Sequence, residues 1–383
     1  MPVQRAGAPV AGGGSLLLTE SADRLQVRSA RHPSIYGIGF FALDIVRSAQ
    51  CKTSIRSYAG GTCGNVLAIL AYLGWDAHAI ASLNGDAASK RVREDLSLAG
   101  VKLGLARIAP SVSTPIVVQV IKRESKDVLR HQFERACLEC GHVLPDFMPV
   151  PVQAVSRIAA AMPEPSVFFM DRVSRSSIEL ARIAAERGAL VYLEPSDIED
   201  ADLFEEAISV THVVKYAKER LPSIGDTTRS PSVLAEIRTV GSEGLIYRSR
   251  LSREGAWSHI DSVPAPVVVD ACGAGDWCTA GIIATLGAKG VAGLVSCQER
   301  DLADAMRYGQ ALAAWNCGFE GARGGMYRVK RSSFARQVAA ILGAEATPRA
   351  RRANAVGRLR VLPSGRIACP ACPPILPTAR PRR

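Results

Sequence analysis

The chain has 383 residues, 48% hydrophobic and 22% charged, a composition that excludes collagen-like, coiled-coil and wholly disordered chains and allows a sizeable core. Its net charge of +11 is unevenly placed, because Ala344 to Arg383 holds nine Arg against one acid, Glu345, and so carries +8 of it. That tail has no aromatic residue to stack on a base, so its contact with polyanions would be non-specific, and a nucleic-acid partner is not expected.

Residues 1–32 lack periodicity and are expected to form a flexible leader, whose apolar patch Leu16–Leu18 is too short for an export signal. No stretch reaches the ~18 apolar residues of a membrane span. With ten cysteines in a long chain, a reducing, cytoplasmic setting is expected. From Ser34 onward, short apolar runs alternate with helical patterns. Strands are expected at Ser34–Phe40, Ala77–Ser82, Val167–Asp171, Leu190–Leu193, His212–Tyr216 and Ile237–Val240. Helices are expected at Asn65–Leu73, Ser89–Leu98, Ser176–Arg187 and from about Gly275 to Leu286, with Gly74, Gly100 and Gly188 ending the first three. This alternation implies βαβ crossovers, hence an α/β fold with a mostly parallel sheet. Asp44–Ser57 and Thr114–Glu134 mix β-branched and polar residues without an intervening helix, which predicts an antiparallel flap. The folded domain is expected over 33–343, with a Cys-containing insertion at about 131–150 and an Arg/Pro-rich tail over 344–383.

Four segments carry chemistry. Val267–Gly281 (VVVDACGAGDWCTAG) runs from an apolar strand through Gly273-Ala274-Gly275 into a helix of small residues. Glycines there let the backbone bend and approach a ligand, and the free N–H groups of the helix start form an anion pocket. A carboxylate beside that pocket suits a base that takes a proton from an attacking hydroxyl; the plain alternative is that Asp276 caps the helix. Tyr58–Ala68 (YAGGTCGNVLA) opens with Gly60-Gly61 and continues to Asn65, which either meets substrate hydroxyls or caps a helix. Gly37-Ile-Gly39 with Asp44 beyond it, and Thr239-Val-Gly241-Ser-Glu-Gly244, are Gly-containing turns after strands.

Taken in order, these segments resemble the ribokinase-like (PfkB) carbohydrate kinase family over about residues 34–340. Gly85-Asp86 and Ala99-Gly100-Val101 fit the spacing between the two signatures. The resemblance implies a three-layer ribokinase-like α/β fold with a small β lid, ATP and Mg²⁺ as cofactors, and a monovalent cation. It implies Asp276 as general base, Gly273, Ala274 and Gly275 as anion hole, and Asp44, Gly61 and Asn65 as substrate-binding residues. Thr239, Gly241 and Gly244 would border the nucleotide, and Glu219 would hold Mg²⁺ through water. Lid strands of the family often pair between subunits, which implies a homodimer. The chain departs from the pattern at three places: Tyr216 stands where the family's Asn-x-x-Glu element begins, Ala271 replaces a common Thr, and Trp277 follows the base. That indole either narrows the phosphate pocket or packs back onto the sheet. A sugar acceptor is the leading expectation and a nucleoside its alternative. A non-catalytic sugar sensor and a nucleic-acid-associated protein are readings from other classes.

One motif lies outside the resemblance. Cys137-Leu-Glu-Cys140-Gly141 has the form of a zinc knuckle, and Cys369-Pro-Ala-Cys372 repeats the spacing in the tail. Together they supply the four thiolates of a closed tetrahedral Zn²⁺ site. The alternatives are a local site that adds His131 or His142, or two unrelated pairs. His212 and His259 are read as structural, Arg172 as a surface ion pair, and Cys272 as a thiol open to oxidants within the phosphate loop.

Overall fold

The structure is a computed structural model that describes residues 32–48, 55–123, 129–137, 139–251 and 256–343. The chain divides into two units, Met1–His32 and Pro33–Arg383, and the first lies outside the described residues except for His32.

In the second unit β1 (Ser34–Ile38), β2 (Ala42–Ser48) and β3 (Ile55–Gly60) precede α1 (Thr62–Tyr72). Then come β4 (Asp76–Leu83), α2 (Ala87–Leu98), β5 (Lys102–Ile108), β6 (Ile116–Arg123) and β7 (Leu129–Glu134). Next are α3 (Val155–Ala160), β8 (Val167–Met170), α4 (Arg175–Glu186), β9 (Leu190–Leu193), α5 (Ala201–Ser209) and β10 (Val213–Ala217). After β11 (Ala235–Thr239), β12 (Leu245–Ser249) and β13 (Ser258–Ile260), the remaining described elements are helices. These helices are α6 (Ala274–Leu286), α7 (Gly290–Val295), α8 (Glu299–Cys317), α9 (Gly324–Arg328) and α10 (Arg331–Ile341).

Nine strands form one sheet in the order β13-β12-β11-β10-β9-β8-β1-β4-β5. It is parallel from β11 to β5, and only β12 and β13 add antiparallel edges. Successive side chains of a strand point to opposite faces, and the core follows that alternation. Ile35, Phe169, Tyr192 and Val213 pack on the side of α1, α6 and α8, whereas Tyr36, Phe168, Val191 and Val214 pack on the side of α3, α4 and α5. This is the expected α/β architecture of three layers. The chain runs outward from β1 through β4 to β5, then returns to β8 and runs the other way, so the order reverses between β1 and β8. Such a switch point opens a crevice at the carboxyl ends of the strands.

The lid is a second sheet, β3-β2-β6-β7. Its hairpins β2–β3 and β6–β7 are antiparallel as expected, but β2 and β6 pair in parallel, with Leu43 opposite Ile116 and Val46 opposite Gln119. The correction has a topological cause: β4, α2 and β5 separate the two hairpins, and this long excursion returns β6 in the direction of β2. Underneath, Arg323 ties the lid to the core. Its Nη2 donates to Asp95 of α2 at 2.9 Å and to the Ala59 carbonyl of β3, and both charged side chains are almost fully buried.

No helix among the described residues is long and apolar enough to cross a membrane.

Candidate functional site

The helix start at α6 is built from the sequence Cys272-Gly273-Ala274-Gly275-Asp276. Gly273 is the N-cap in the left-handed region, φ +76°, and a Cβ there would lie 2.4 Å from the Ala322 carbonyl. Ala274 N–H is spent within the turn, donating to Ala271 O at 3.2 Å. A Cβ added at Gly275 would meet nothing within 4 Å, so open space lies over this first turn. An anion placed there would face backbone N–H groups and the positive end of the helix.

Asp276 lies on that first turn and does not cap the helix. Its Oδ2 accepts from Asn65 Nδ2 at 2.7 Å. Burial pushes its carboxyl up to about 7, and the charge of Glu194 adds to the rise. The Asn65 hydrogen bond and the charges of Lys215 and Arg220 oppose it. Asn65 is buried inside α1, whose N-cap is Gly61, so the capping alternative for Asn65 fails as well. Gly61 has φ +80°, and a Cβ there would sit 2.3 Å from Phe40 O.

Asp171 organises the loops around this contact, accepting from Phe40 N at 2.8 Å and Cys63 N at 3.2 Å. Asp44 stands on the lid face opposite the core-facing Leu43. It lines an open cleft with Tyr58, Gln119, Arg323 and Tyr327. Burial raises its carboxyl to about 7 against the lowering charge of Arg323. Gln119 joins this cleft to the loop before α6, because Cys272 Sγ contacts its Oε1 at 3.6 Å. Burial and the charges of Asp270, Asp44 and Asp276 hold the Cys272 thiol well above its usual range, which makes it a poor target for oxidants. Asp270 holds the loops: its oxygens accept from Cys272 N at 2.7 Å and Gly321 N at 2.8 Å.

On the other side, Thr239 ends β11 and Gly241–Glu243 form a single 3-10 turn closed by Gly244. Glu219 Oε1 lies 3.4 Å from where a Gly241 Cβ would be, so its carboxylate faces that turn. Tyr216 points away from it. The pleat puts Tyr216 on the α3–α5 face, where its hydroxyl donates to Glu236 Oε1 at 2.8 Å, and Glu236 is further held by Arg248. An oxygen-seeking ion bound mainly by phosphates and water needs only one or two carboxylates. Glu219 fits that part, and Tyr216 takes none in it.

Trp277 packs back into the core. It is fully buried, its Nε1 donates to Ala322 O at 3.0 Å, and its ring meets those of Tyr72, Trp315 and Phe334. His212 is structural, its Nδ1 accepting from Val191 N at 2.9 Å. Arg172 pairs with Asp171 at 3.5 Å and lies over the Phe40 ring. The sequence reading missed Glu194, Lys215 and Thr279 behind Asp276. The overlooked signal was a lysine inside the apolar strand VVKYA.

Cys137 and Gly141 do form a knuckle-like turn. Gly141 has φ +71° and donates to Cys137 O at 2.9 Å, while Cys137 N donates to His142 O at 2.8 Å. Among the described residues, however, no group of three or more His, Cys, Asp or Glu could hold a metal ion, so Cys137, Cys140 and His142 do not make a local site. Cys369 and Cys372 lie outside the described residues.

The family profile described as pfkB family carbohydrate kinase matches residues 46–327. The fold is similar to that of a Burkholderia thailandensis nucleoside kinase in complex with inosine (TM-score 0.60, 16% identity, 82% of this chain and 98% of that one). It is also similar to a putative ribokinase from Agrobacterium tumefaciens (TM-score 0.59, 15% identity, 82% and 100%). A third similar structure is a fructokinase with bound ATP from Xylella fastidiosa (TM-score 0.59, 16% identity, 75% and 93%). No curated protein matches the sequence.

Proposed function

Because the chain belongs to the pfkB family of carbohydrate kinases, we propose that it transfers the γ-phosphoryl group of ATP to a hydroxyl of a small sugar-like substrate, with Asp276 as general base. One observation carries the reading: a carboxyl raised to about 7 lies beside the open first turn of α6, in contact with Asn65. A base of that pKa is half ionised near neutral pH, where proton abstraction is most effective. Gly275 and the start of α6 would take the transferred group, since phosphoryl transfer depends on positioning and charge neutralisation. Asp44 would orient the acceptor under the lid, with Gly61 and Asn65 on its far side. Thr239, Gly241 and Gly244 would border the nucleotide. Mg²⁺ would be held through water by Glu219 and would neutralise phosphate charge.

A nucleoside acceptor is the second reading. It is favoured by the surface depression at the ends of β1, β4 and β8, where Phe147, Met148 and Arg172 offer a partly aromatic lining beside the switch point. An ADP-release screen over sugars and nucleosides with Mg²⁺ tests both. A sugar or nucleoside that drives ADP release supports the kinase reading and names the class. Silence across both panels, from folded protein, contradicts it.

The cysteine content supports a cytoplasmic setting, and the lid edges β3 and β7 are the surfaces a homodimer would use. The knuckle-like turn supports Zn²⁺ held by Cys137, Cys140, Cys369 and Cys372. About one zinc per full-length chain, lost on truncation after Gly343, is the expected elemental analysis; no zinc in the full chain ends that idea.

A further inference from the structure

The residues directly behind Asp276 are charged, where an α/β core would ordinarily be apolar. Leu193 faces the α3–α5 layer, so Glu194, the next residue, turns toward α6. By the same alternation Lys215 lies on the α6 side of β10, between Val214 and Tyr216 on the opposite face. Lys215 Nζ donates to Glu194 Oε1 at 2.5 Å, and its side chain is 2% exposed. The other carboxylate oxygen, Glu194 Oε2, accepts from Thr279 Oγ1, also at 2.5 Å. Thr279 follows Asp276 by three residues, so the two stand one above the other on one face of α6. Glu194 thus grips the base-carrying helix one turn beyond the base, and Lys215 neutralises it from below.

Stability alone does not account for this pair. The desolvation cost of a buried ion pair offsets most of its attraction, and apolar residues of similar size usually serve as well. The charges, however, act on the reacting centre.

We propose that Glu194 is the positioning residue of the phosphoryl-transfer site, clasped by Lys215 and Thr279 so that it fixes the rotation of α6 and balances the charge around Asp276. This rests on the reading of Asp276 as the base. The groups that face Asp276 are Asn65 and Cys63 from α1, Cys272 from the loop before α6, Glu194 from the end of β9, Lys215 from β10 and Arg220 from the turn after it. Within this set the carboxylate of Glu194 raises Asp276, while Lys215 and Arg220 lower it. Because Arg220 lies in an exposed turn, the Glu194–Lys215 pair, whose side chains are 14% and 2% exposed, is the part of the balance that solvent screens least.

The test compares Glu194→Gln, Glu194→Gln/Lys215→Met and Thr279→Val with the native protein. Two readouts are used: the pH profile of kcat/KM on the acceptor found in the screen, and a ¹³C-carboxyl NMR titration of Asp276 in the protein without nucleotide. Glu194→Gln should lower the Asp276 midpoint by about half to one pH unit, since a repelling charge is removed. The double variant, which loses one charge of each sign, should return the midpoint toward the native value. Thr279→Val keeps both charges and should leave the midpoint in place while lowering kcat about tenfold, with KM for ATP unchanged. A midpoint indifferent to Glu194→Gln, or a double variant displaced as far as the single one, overturns the charge role. Unchanged kcat in Thr279→Val overturns the positioning role. Should Glu194→Gln fail to fold with its lysine unpaired, the double variant and Thr279→Val still decide. The NMR titration needs no turnover, so failure of this inference stays distinct from failure of Asp276 as base, which only an active Asp276→Asn enzyme would reveal.

Discussion

Asn65 and Asp276 are separated by 211 positions in the chain and by 2.7 Å in the fold. Each is legible in the sequence, because a short polar residue beside paired or spaced glycines marks a loop that approaches a ligand. Their contact is not legible, since it depends on how α1 packs against α6. Asp44 was legible only through its place in the order of segments; a lone acid on a strand says little. Lys215 leaves a mark in the sequence, a charge inside the apolar strand VVKYA, but its partnership with Glu194 is not legible, because it arises from the pleat of two neighbouring strands and the register of a helix above them. The prediction that belongs to this scale concerns Asp44. It lines the cleft under the lid together with Gln119, and neither Thr239 nor Gly241 is among the residues that line this cleft. Asp44→Ala should raise KM for the acceptor at least tenfold, from loss of a charged hydrogen-bond partner, and leave KM for ATP within about twofold. Steady-state kinetics with each substrate varied in turn checks this, and a larger effect on ATP would move Asp44 to the other subsite.

Among the elements, the parallel strands and the amphipathic helices followed from periodicity, with ends displaced by a few residues. The helix containing Asn65 begins earlier, at Thr62, because Gly61 supplies the N-cap backbone that no side chain provides. The lid was legible as a flap, but not its mixed pairing, which is decided by the crossover through β4, α2 and β5. The C-terminal helices α8 and α10 escaped the sequence reading because alanines and polar residues blur their apolar stripe. They nonetheless define the wall against which α6 lies, with Trp315 and Phe334 around the Trp277 ring. Trp277 is accordingly a structural residue next to the proposed base. Trp277→Ala should lower unfolding stability by about 3–5 kcal/mol, the usual cost of a large buried aromatic ring, as measured by denaturant titration. A loss below about 1 kcal/mol would mean that the indole is not in the core.

For the whole molecule, three carboxyl groups at the carboxyl-end crevice carry raised pKa values: Asp276 and Asp44 to about 7 and Asp171 to about 6. Each holds its proton in the folded chain over a range where the unfolded chain, with an ordinary value of 3.8, has lost it. Folded protein then binds more protons than unfolded, so stability falls as pH rises through that window. His78 and His212 have lowered values and act in the opposite sense below about pH 6.5, so a single-site difference reads the effect more cleanly than the total. The Tm of Asp276→Asn minus that of the native protein should grow with pH between about 4 and 7 and level off above 8. A difference that stays flat would show that Asp276 is not held against its ionisation. The fold therefore carries costly, poorly solvated acid groups on the elements of the candidate site, as the proposed base-assisted transfer would use them. Turnover of Asp276→Asn on the acceptor found in the screen tests that requirement most directly. If Asp276 is the base, the variant loses about 10²–10⁴ in kcat with ATP affinity retained; near-native turnover would rule that role out.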